Sequence, residues 1–248
     1  MKQRTTEWIE LVDDFYHERQ FKEPYRSTIA FCDWLEKSRY LNKSIQARIL
    51  DVGAGQGANI FYMAKKYPEC KLVGIDINNS IVKKGNEFFH SKAINNCSLE
   101  VGDLYNFSDE YISKFDGIVS IHTLSWLPEY KKPIEAMAKL NPKWIALSAL
   151  FYDGEVSCTI QMKDFTTPKP GRPFRESFYN IYSLNHIQQL FKELGFSEFN
   201  YIPFEIDIDL PRPESKGRGT YTKKLENGHR IQISGPLLQP WYFILASK

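Results

Sequence analysis

The stretch Arg48-Ile-Leu-Asp51-Val-Gly53-Ala-Gly55-Gln-Gly57 decides the fold of this 248-residue chain. It begins as a short apolar run, ends in three closely spaced glycines, and is followed by apolar residues at helical spacing. Glycines between a buried strand and a helix let the backbone turn tightly and approach a ligand without a Cβ in the way. The stretch therefore predicts a strand, a glycine turn and a helix, with a cofactor bound at the turn.

The same unit of strand and helix recurs along the chain. Alternation of buried strands with helices is typical of a parallel sheet covered by helices on both faces, so we predict a doubly wound α/β fold. Further strands are predicted at Lys71–Ile75, Ser98–Val101, Gly117–Ile121, Trp144–Leu150, Phe199–Phe204 and Trp241–Ala246, and a late helix near Leu184–Leu194.

The domain organisation follows from what flanks this alternation. No Pro- or Gly-rich stretch divides the chain into halves of different composition, so we predict a single domain over residues 1–248. Residues 1–45 carry apolar residues at helical spacing and are expected to form an N-terminal helical cap. Residues 46–150 are expected to be the cofactor-binding half, and 151–248 the substrate-side insert and C-terminal strands.

Two segments after residue 150 carry their own signals. Phe151–Tyr182 contains three prolines and interrupts the alternation of strands and helices. A connection of that length in a compact domain usually has a function. We expect it to act as a lid over the acceptor. Asn227-Gly228 separates two polar strand-like runs, which predicts an added β-hairpin.

Composition and charge limit the partners. The 32 basic residues nearly cancel the 30 acidic ones, so phosphate neutralisation is a poor basis for binding, and we expect no nucleic acid. No apolar run reaches membrane-spanning length, and Met1–Asp14 lacks the apolar region of a signal peptide, so we expect no membrane association. The four cysteines show no metal-ligand spacing, so we expect no metal and a cytoplasmic protein. The oligomeric state is left open.

Three aspartates follow successive predicted strands. Asp51 precedes the glycines, where a carboxylate repels a pyrophosphate and attracts the ammonium of a zwitterionic cofactor. Asp76 ends the second strand, where an acceptor suits ribose hydroxyls. Asp103 follows the third strand, where a carboxylate can accept a hydrogen bond from an amine such as that of adenine.

A dinucleotide site is the alternative interpretation of the glycines. Gly53-x-Gly55-x-x-Ala58 also fits the fingerprint of nicotinamide-binding proteins, with Asp76 near the position of a ribose-binding acid. Asp51 beside the phosphate position disfavours that interpretation, and no hydride-transfer constellation is evident in the sequence.

The pattern Asp51-x-Gly53-x-Gly55-x-Gly57, with Asp76 and Asp103, resembles the class I S-adenosylmethionine-dependent methyltransferases. The resemblance covers Arg48–Leu150 closely and the remaining sheet through Trp241–Ala246 more loosely. It includes the segment Phe115–Pro128, in which Ser125 and Trp126 replace the usual histidine pair. It implies a Rossmann-like, seven-stranded, mostly parallel sheet with the last strand antiparallel. It also implies S-adenosyl-L-methionine as cofactor and methyl transfer from its sulfonium to a nucleophile.

The candidate site residues fall into three groups. A methyl sulfonium is already activated, so the protein must align the nucleophile, exclude water and accept a proton. His122 is the candidate proton acceptor, since an unperturbed imidazole titrates near pH ~6.5. The predicted cofactor-binding set is Asp51, Gly53, Gly55, Asp76, Ile77, Asp103, Leu104 and His122. The predicted substrate-binding set is Tyr16, Tyr25, Trp126, Tyr152, Arg172 and Arg175.

The function expected from the sequence is therefore S-adenosylmethionine-dependent methyl transfer to an O or N of a small metabolite, including an anionic or sugar-type acceptor. Two alternatives stay open at this point: an NAD(P)-dependent oxidoreductase, and a methyltransferase-like binding protein without turnover.

Overall fold

A computed structural model describes residues 19–166, 171, 173–214 and 216–248. The helices are α1 (Arg26–Lys37), α2 (Ala58–Lys66), α3 (Asn79–Ser91), α4 (Lys131–Lys139) and α5 (Leu184–Glu193). The strands of the first half are β1 (Arg48–Val52), β2 (Lys71–Asp76), β3 (Cys97–Val101), β4 (Gly117–Ile121) and β5 (Trp144–Tyr152). The later strands are β6 (Gln161–Asp164), β7 (Arg175–Phe178), β8 (Tyr182–Ser183), β9 (Glu198–Pro203), β10 (Thr220–Lys224), β11 (Arg230–Ser234), β12 (Leu237–Leu238) and β13 (Trp241–Ser247).

The main sheet has the strand order β3-β2-β1-β4-β5-β13-β9. Strands β1 to β5 pair in parallel, while β13 is antiparallel to both of its neighbours, β5 and β9. The short β8 adds to the end of β5. This order confirms the predicted doubly wound sheet with an antiparallel last strand.

Alternation along β1 builds a core on each face of the sheet. Ile49 faces a core formed with α1, α2 and α3, whereas Leu50 faces one formed with α4 and α5. Both side chains are fully buried. Burying an aliphatic side chain of this size contributes about 1.5–3 kcal/mol, so the apolar run holds the strand between two helical layers. The carboxyl ends of β1 to β4 thereby meet at one edge of the sheet.

Two small sheets accompany the main one. Strands β10, β11 and β12 form an antiparallel sheet, in which the turn at Asn227-Gly228 joins β10 to β11 as predicted. Gly228 has φ +86° there, a conformation that favours glycine. Strands β6 and β7 form a second antiparallel hairpin inside the long connection, and the sequence did not predict it. Within the described ranges, no helix is long and apolar enough to cross a membrane.

Candidate active site

The glycine loop lies where the carboxyl ends of β1 and β4 meet. Gly53 has φ +75°, and a Cβ built on it would lie 2.5 Å from Cγ2 of Thr123, in the loop after β4. Its N–H and that of Ala54 both donate to the carbonyl of Ile75, at 3.0 and 2.9 Å. Only glycine fits this position, because a side chain would meet Thr123. The two hydrogen bonds to Ile75 hold the loop against the end of β2.

Asp51 lies on β1, directly beneath the glycine loop. Its side chain is only 1% exposed, and neither carboxylate oxygen has a hydrogen-bond partner among the residues that the structure describes. Burial, together with the nearby charge of Asp76, raises the pKa of Asp51 to about 7. A buried carboxylate without a partner is costly, and a cation beside it would remove that cost.

Asp76 holds the glycine loop at the end of β2 through hydrogen bonds to its carboxylate. One carboxylate oxygen accepts the N–H of Gly55 at 2.9 Å, and the other accepts the N–H of Asn78 at 3.0 Å. Ile77, the next residue, is 39% exposed at the same edge. A carboxylate oxygen has more than one lone pair, so these bonds leave capacity for ligand hydroxyls.

Asp103 begins a tight turn after β3. Its carboxylate accepts the N–H of Tyr105 at 2.9 Å, and its carbonyl accepts the N–H of Asn106, also at 2.9 Å. Leu104, within this turn, is half-buried and packs against the core formed with α4 and α5. The turn brings both residues to the edge that carries Asp51 and Asp76.

His122 follows β4 with a left-handed backbone, φ +60°, which is uncommon for a residue with a side chain. Its N–H donates to the carbonyl of Ser148 at 2.8 Å, and its ring centre lies 4.4 Å from that of Trp241 and 5.9 Å from that of Tyr25. Its Nε2 is buried and has no hydrogen-bond partner in the described part of the chain. Burial lowers the pKa of His122 to about 4, below the ordinary value expected from the sequence, so the imidazole is neutral at pH 7.

The predicted substrate residues are only partly brought together. Tyr25 comes directly before α1 and lies next to the His122 ring. Trp126 packs edge-on against Tyr179, at 3.9 Å between ring centres. Arg175 opens β7, and Tyr152 is half exposed at the end of β5. Tyr16 and Arg172 lie outside the described residues.

Two residues of this edge were missed in the sequence. Trp241 opens β13, and its buried indole Nε1 has no hydrogen-bond partner among the residues described. Ser148 lies on β5, and its buried hydroxyl oxygen is likewise unpartnered within the described ranges. For Ser148, the only sequence signal was a lone serine in an otherwise apolar strand. Trp241 gave no such signal, because the position of β13 depends on long-range strand order.

A third missed residue, Arg218, joins the two small sheets. Its side chain is largely buried, with Nε 3.5 Å from Asp164 of β6 and a terminal nitrogen donating to the Ser177 hydroxyl at 3.1 Å. Its guanidinium also lies over the ring of Tyr179, 6.0 Å from the ring centre. Arg218 therefore holds the segment before β10 against the β6–β7 hairpin.

Known proteins with similar sequence or structure bear on this site. Residues 43–163 match the family model described as a methyltransferase domain. An uncharacterised protein of Rickettsia prowazekii is 32% identical over 103 residues, which are 40% of this chain and 41% of the relative. The malonyl-[acyl-carrier protein] O-methyltransferase of Geobacter sulfurreducens is 28% identical over 142 residues, 54% of this chain and 50% of the relative. The structure of TehB from Haemophilus influenzae shares the fold, with a TM-score of 0.54 and 20% identity over 95% of this chain and 66% of TehB.

The sheet has the order of a Rossmann-like fold, and residues 43–163 within it match a methyltransferase domain. The matched domain and the methyltransferase among the relatives support the resemblance of the glycine loop to the class I S-adenosylmethionine-dependent methyltransferases. The matched regions span 41% and 50% of the length of these two curated relatives.

Proposed function

We propose that the protein transfers a methyl group from S-adenosyl-L-methionine to an oxygen or nitrogen of a small metabolite. The observation that carries this proposal is the buried carboxylate of Asp51, which lies under the glycine loop with both oxygens unpartnered among the described residues. The ammonium of the cofactor's amino-acid end would supply the missing positive charge. A dinucleotide would instead bring a pyrophosphate to this carboxylate, which argues against the oxidoreductase.

The edge of the sheet fits the rest of the cofactor. The loop at Gly53 and Gly55 lets the backbone approach it closely. Asp76 would hold ribose hydroxyls while it keeps the loop in place, and Asp103 would accept a hydrogen bond from the adenine amine. The apolar side chains Ile77 and Leu104 would flank the adenine ring. When bound, the cofactor supplies a methyl group that is already activated on a sulfonium.

His122 would serve the acceptor side of the reaction. Its imidazole is neutral at pH 7, so Nε2 can take a proton as the nucleophile is methylated. The rings of Tyr25 and Trp241 next to it exclude water.

The acceptor wall is proposed from the remaining predicted residues. Trp126, Tyr152 and Arg175 would line it together with Tyr25, and Arg175 would favour an anionic or sugar-type acceptor. Tyr16 and Arg172 remain proposed members of this wall. We also propose that the protein acts in the cytoplasm: the cysteines in the described ranges are free thiols, as expected in a reducing compartment.

Calorimetry tests the proposal at its central residue. The protein should bind S-adenosylmethionine and S-adenosylhomocysteine, and Asp51→Asn should weaken both. Asp109→Asn, a strongly exposed aspartate away from the crevice, is the matched control and should leave both affinities unchanged. Binding of NADH in place of both ligands would reject the proposal. Turnover is tested with labelled S-adenosylmethionine and a metabolite extract, by mass-spectrometric detection of methylated products; binding without any product would favour the non-catalytic alternative.

A further inference from the structure

Two buried ring nitrogens without a hydrogen-bond partner among the described residues belong to neighbouring rings at this edge of the sheet. They are Nε2 of His122, after β4, and Nε1 of Trp241, at the start of β13. Both are buried, neither has a hydrogen-bond partner among the residues described, and the two ring centres are 4.4 Å apart. Buried polar groups are normally paired, so two unpartnered nitrogens on neighbouring rings indicate a missing ligand group.

One of the two nitrogens requires a hydrogen-bond acceptor as its partner, and the other requires a donor. An indole N–H is a hydrogen-bond donor only. A neutral imidazole with its proton on Nδ1 offers Nε2 as an acceptor. A ligand group that satisfies both must therefore accept one hydrogen bond and donate another.

We propose that this group is the nucleophile itself, and that it is a hydroxyl oxygen that bridges Trp241 and His122. This inference rests on the methyltransferase function proposed above and decides between its oxygen and nitrogen acceptors. The hydroxyl oxygen accepts the indole N–H of Trp241, and the hydroxyl proton is donated to Nε2 of His122.

The number of lone pairs on the acceptor atom favours a hydroxyl over an amine at this position. A hydroxyl oxygen has two lone pairs, so one can accept the Trp241 N–H while the other faces the methyl group. A neutral amine has a single lone pair, which must face the methyl group for transfer to occur. An amine in this position would leave the Trp241 N–H buried without a partner, a penalty that a hydroxyl does not incur.

The proton then has a defined destination. As the second lone pair of the hydroxyl oxygen forms the O–CH3 bond, the electron pair of the S–CH3 bond stays on sulfur. The hydroxyl proton passes to Nε2 of His122 and from there to water. A weakly basic imidazole suffices, because an oxygen that is gaining a methyl group becomes strongly acidic.

Access requires a movement beside His122. Both nitrogens are buried in the structure. The ring of Tyr25, the residue directly before α1, has its centre 5.9 Å from the centre of the His122 ring. The acceptor reaches the pair when this ring moves aside. The residues around the hydroxyl are then aromatic, which suits a hydroxyl on a flat ring.

Nuclear magnetic resonance of the indole N–H groups tests the bridge without turnover. The protein, saturated with S-adenosylhomocysteine, is titrated with phenol and, in parallel, with toluene, a ring of similar shape that has no hydroxyl. The Trp241 resonance is assigned by its loss in Trp241→Phe; Trp144→Phe, at the opposite edge of the sheet, is the control and should retain the phenol response. We expect phenol to shift the Trp241 N–H downfield and His122→Asn to reduce that shift. No shift with phenol, or an equal shift with toluene, would overturn the inference.

The failure of this inference is distinguishable from failure of the proposed function. If S-adenosylhomocysteine does not bind, the proposed function fails. If it binds and Trp241 does not distinguish phenol from toluene, only the hydroxyl bridge fails. In turnover with labelled S-adenosylmethionine and a metabolite extract, the product should be O-methylated. Trp241→Phe should lower its formation by about three- to tenfold, the usual effect of one hydrogen bond. An N-methylated product would contradict the bridge.

Discussion

The amide of Gly55 donates a hydrogen bond to the carboxylate of Asp76, with 2.9 Å between N and Oδ2. One aspartate therefore shapes the glycine loop that follows β1 and also lies at the end of β2, where we propose that the ribose binds. Changes at this aspartate affect both the loop and the ligand.

Asp76→Ala should weaken binding of S-adenosylmethionine by about 1.5–3 kcal/mol, because hydrogen bonds to a charged acceptor are lost. Calorimetry measures this effect, and circular dichroism should show an intact fold. Asp109→Ala removes an exposed aspartate elsewhere and serves as control. An unchanged dissociation constant for Asp76→Ala would mean that this residue serves the loop alone.

Gly53→Ala should lower the free energy of unfolding by more than about 1 kcal/mol, because the residue has φ +75° and its new Cβ would meet Thr123. Thr123→Ala in the same protein should restore part of the loss, since it removes the Cγ2 and Oγ1 atoms nearest the added Cβ. Denaturant unfolding of the single and double variants measures both effects. A double variant no more stable than Gly53→Ala would assign the whole loss to the backbone.

Binding of S-adenosylhomocysteine should depend on pH through Asp51, whose pKa is raised to about 7. The ammonium favours the ionised carboxylate, so below pH 7 binding must release a proton, and the affinity should rise about tenfold per pH unit until Asp51 is ionised. Calorimetry at pH ~6 in buffers of different ionisation enthalpy counts that proton. Asp51→Asn should abolish its release, and proton release that persists in this variant would assign it to another group.

The same pKa shift predicts the stability of the ligand-free protein. The folded state holds the Asp51 proton more tightly than the unfolded state, where the ordinary value is 3.8. The contribution of this group is therefore fully present below pH 3.8 and is lost as the pH rises through about 7. Asp51→Asn should remove this part of the pH dependence of unfolding.

His122→Asn should lower turnover by about 10²- to 10⁴-fold with little change in cofactor affinity, since a general base contributes about that much. Weakened cofactor binding with nearly intact turnover at saturation would mean that His122 only shapes the pocket. The lowered pKa adds a second readout: the wild-type rate at saturation should not fall near pH ~6.5, where an unperturbed imidazole titrates.

Residues 151–182 should become protected from hydrogen exchange when both ligands are bound, because this connection lies at the edge where strands end and is expected to close over the acceptor. Arg218→Met should raise exchange in β6 and β7, since it removes the contacts to Asp164 and Ser177. Exchange that is indifferent to both ligands would identify the segment as a static insert.

The sequence predicted β1, β2, β4 and β5 well because each is a short, mostly apolar run. It did not predict β6 and β7, whose residues Gln161–Asp164 and Arg175–Phe178 are mostly polar and pair with each other rather than with a core. The acids of the cofactor edge were found from their place after each strand. That Asp51 is buried and unpartnered was not readable, because burial depends on the helices packed over β1.

The acceptor side was harder to predict for a topological reason. Tyr25, His122 and Trp241 lie far apart in the sequence and meet only because β13 inserts between β5 and β9. The lowered pKa of His122 follows from that packing, so a value near the ordinary one was the wrong expectation.

The placement of β13 also sets an order of events during synthesis on the ribosome. Strands β1 to β4, with the glycine loop and its aspartates, are all made before the slot between β5 and β9 can be filled. The contacts of Trp241 with His122 close a very long loop, a slow step in folding. Until β13 is in place, β5 and β9 each present an open edge, which makes this interval the time when the protein is most exposed to pairing with other chains.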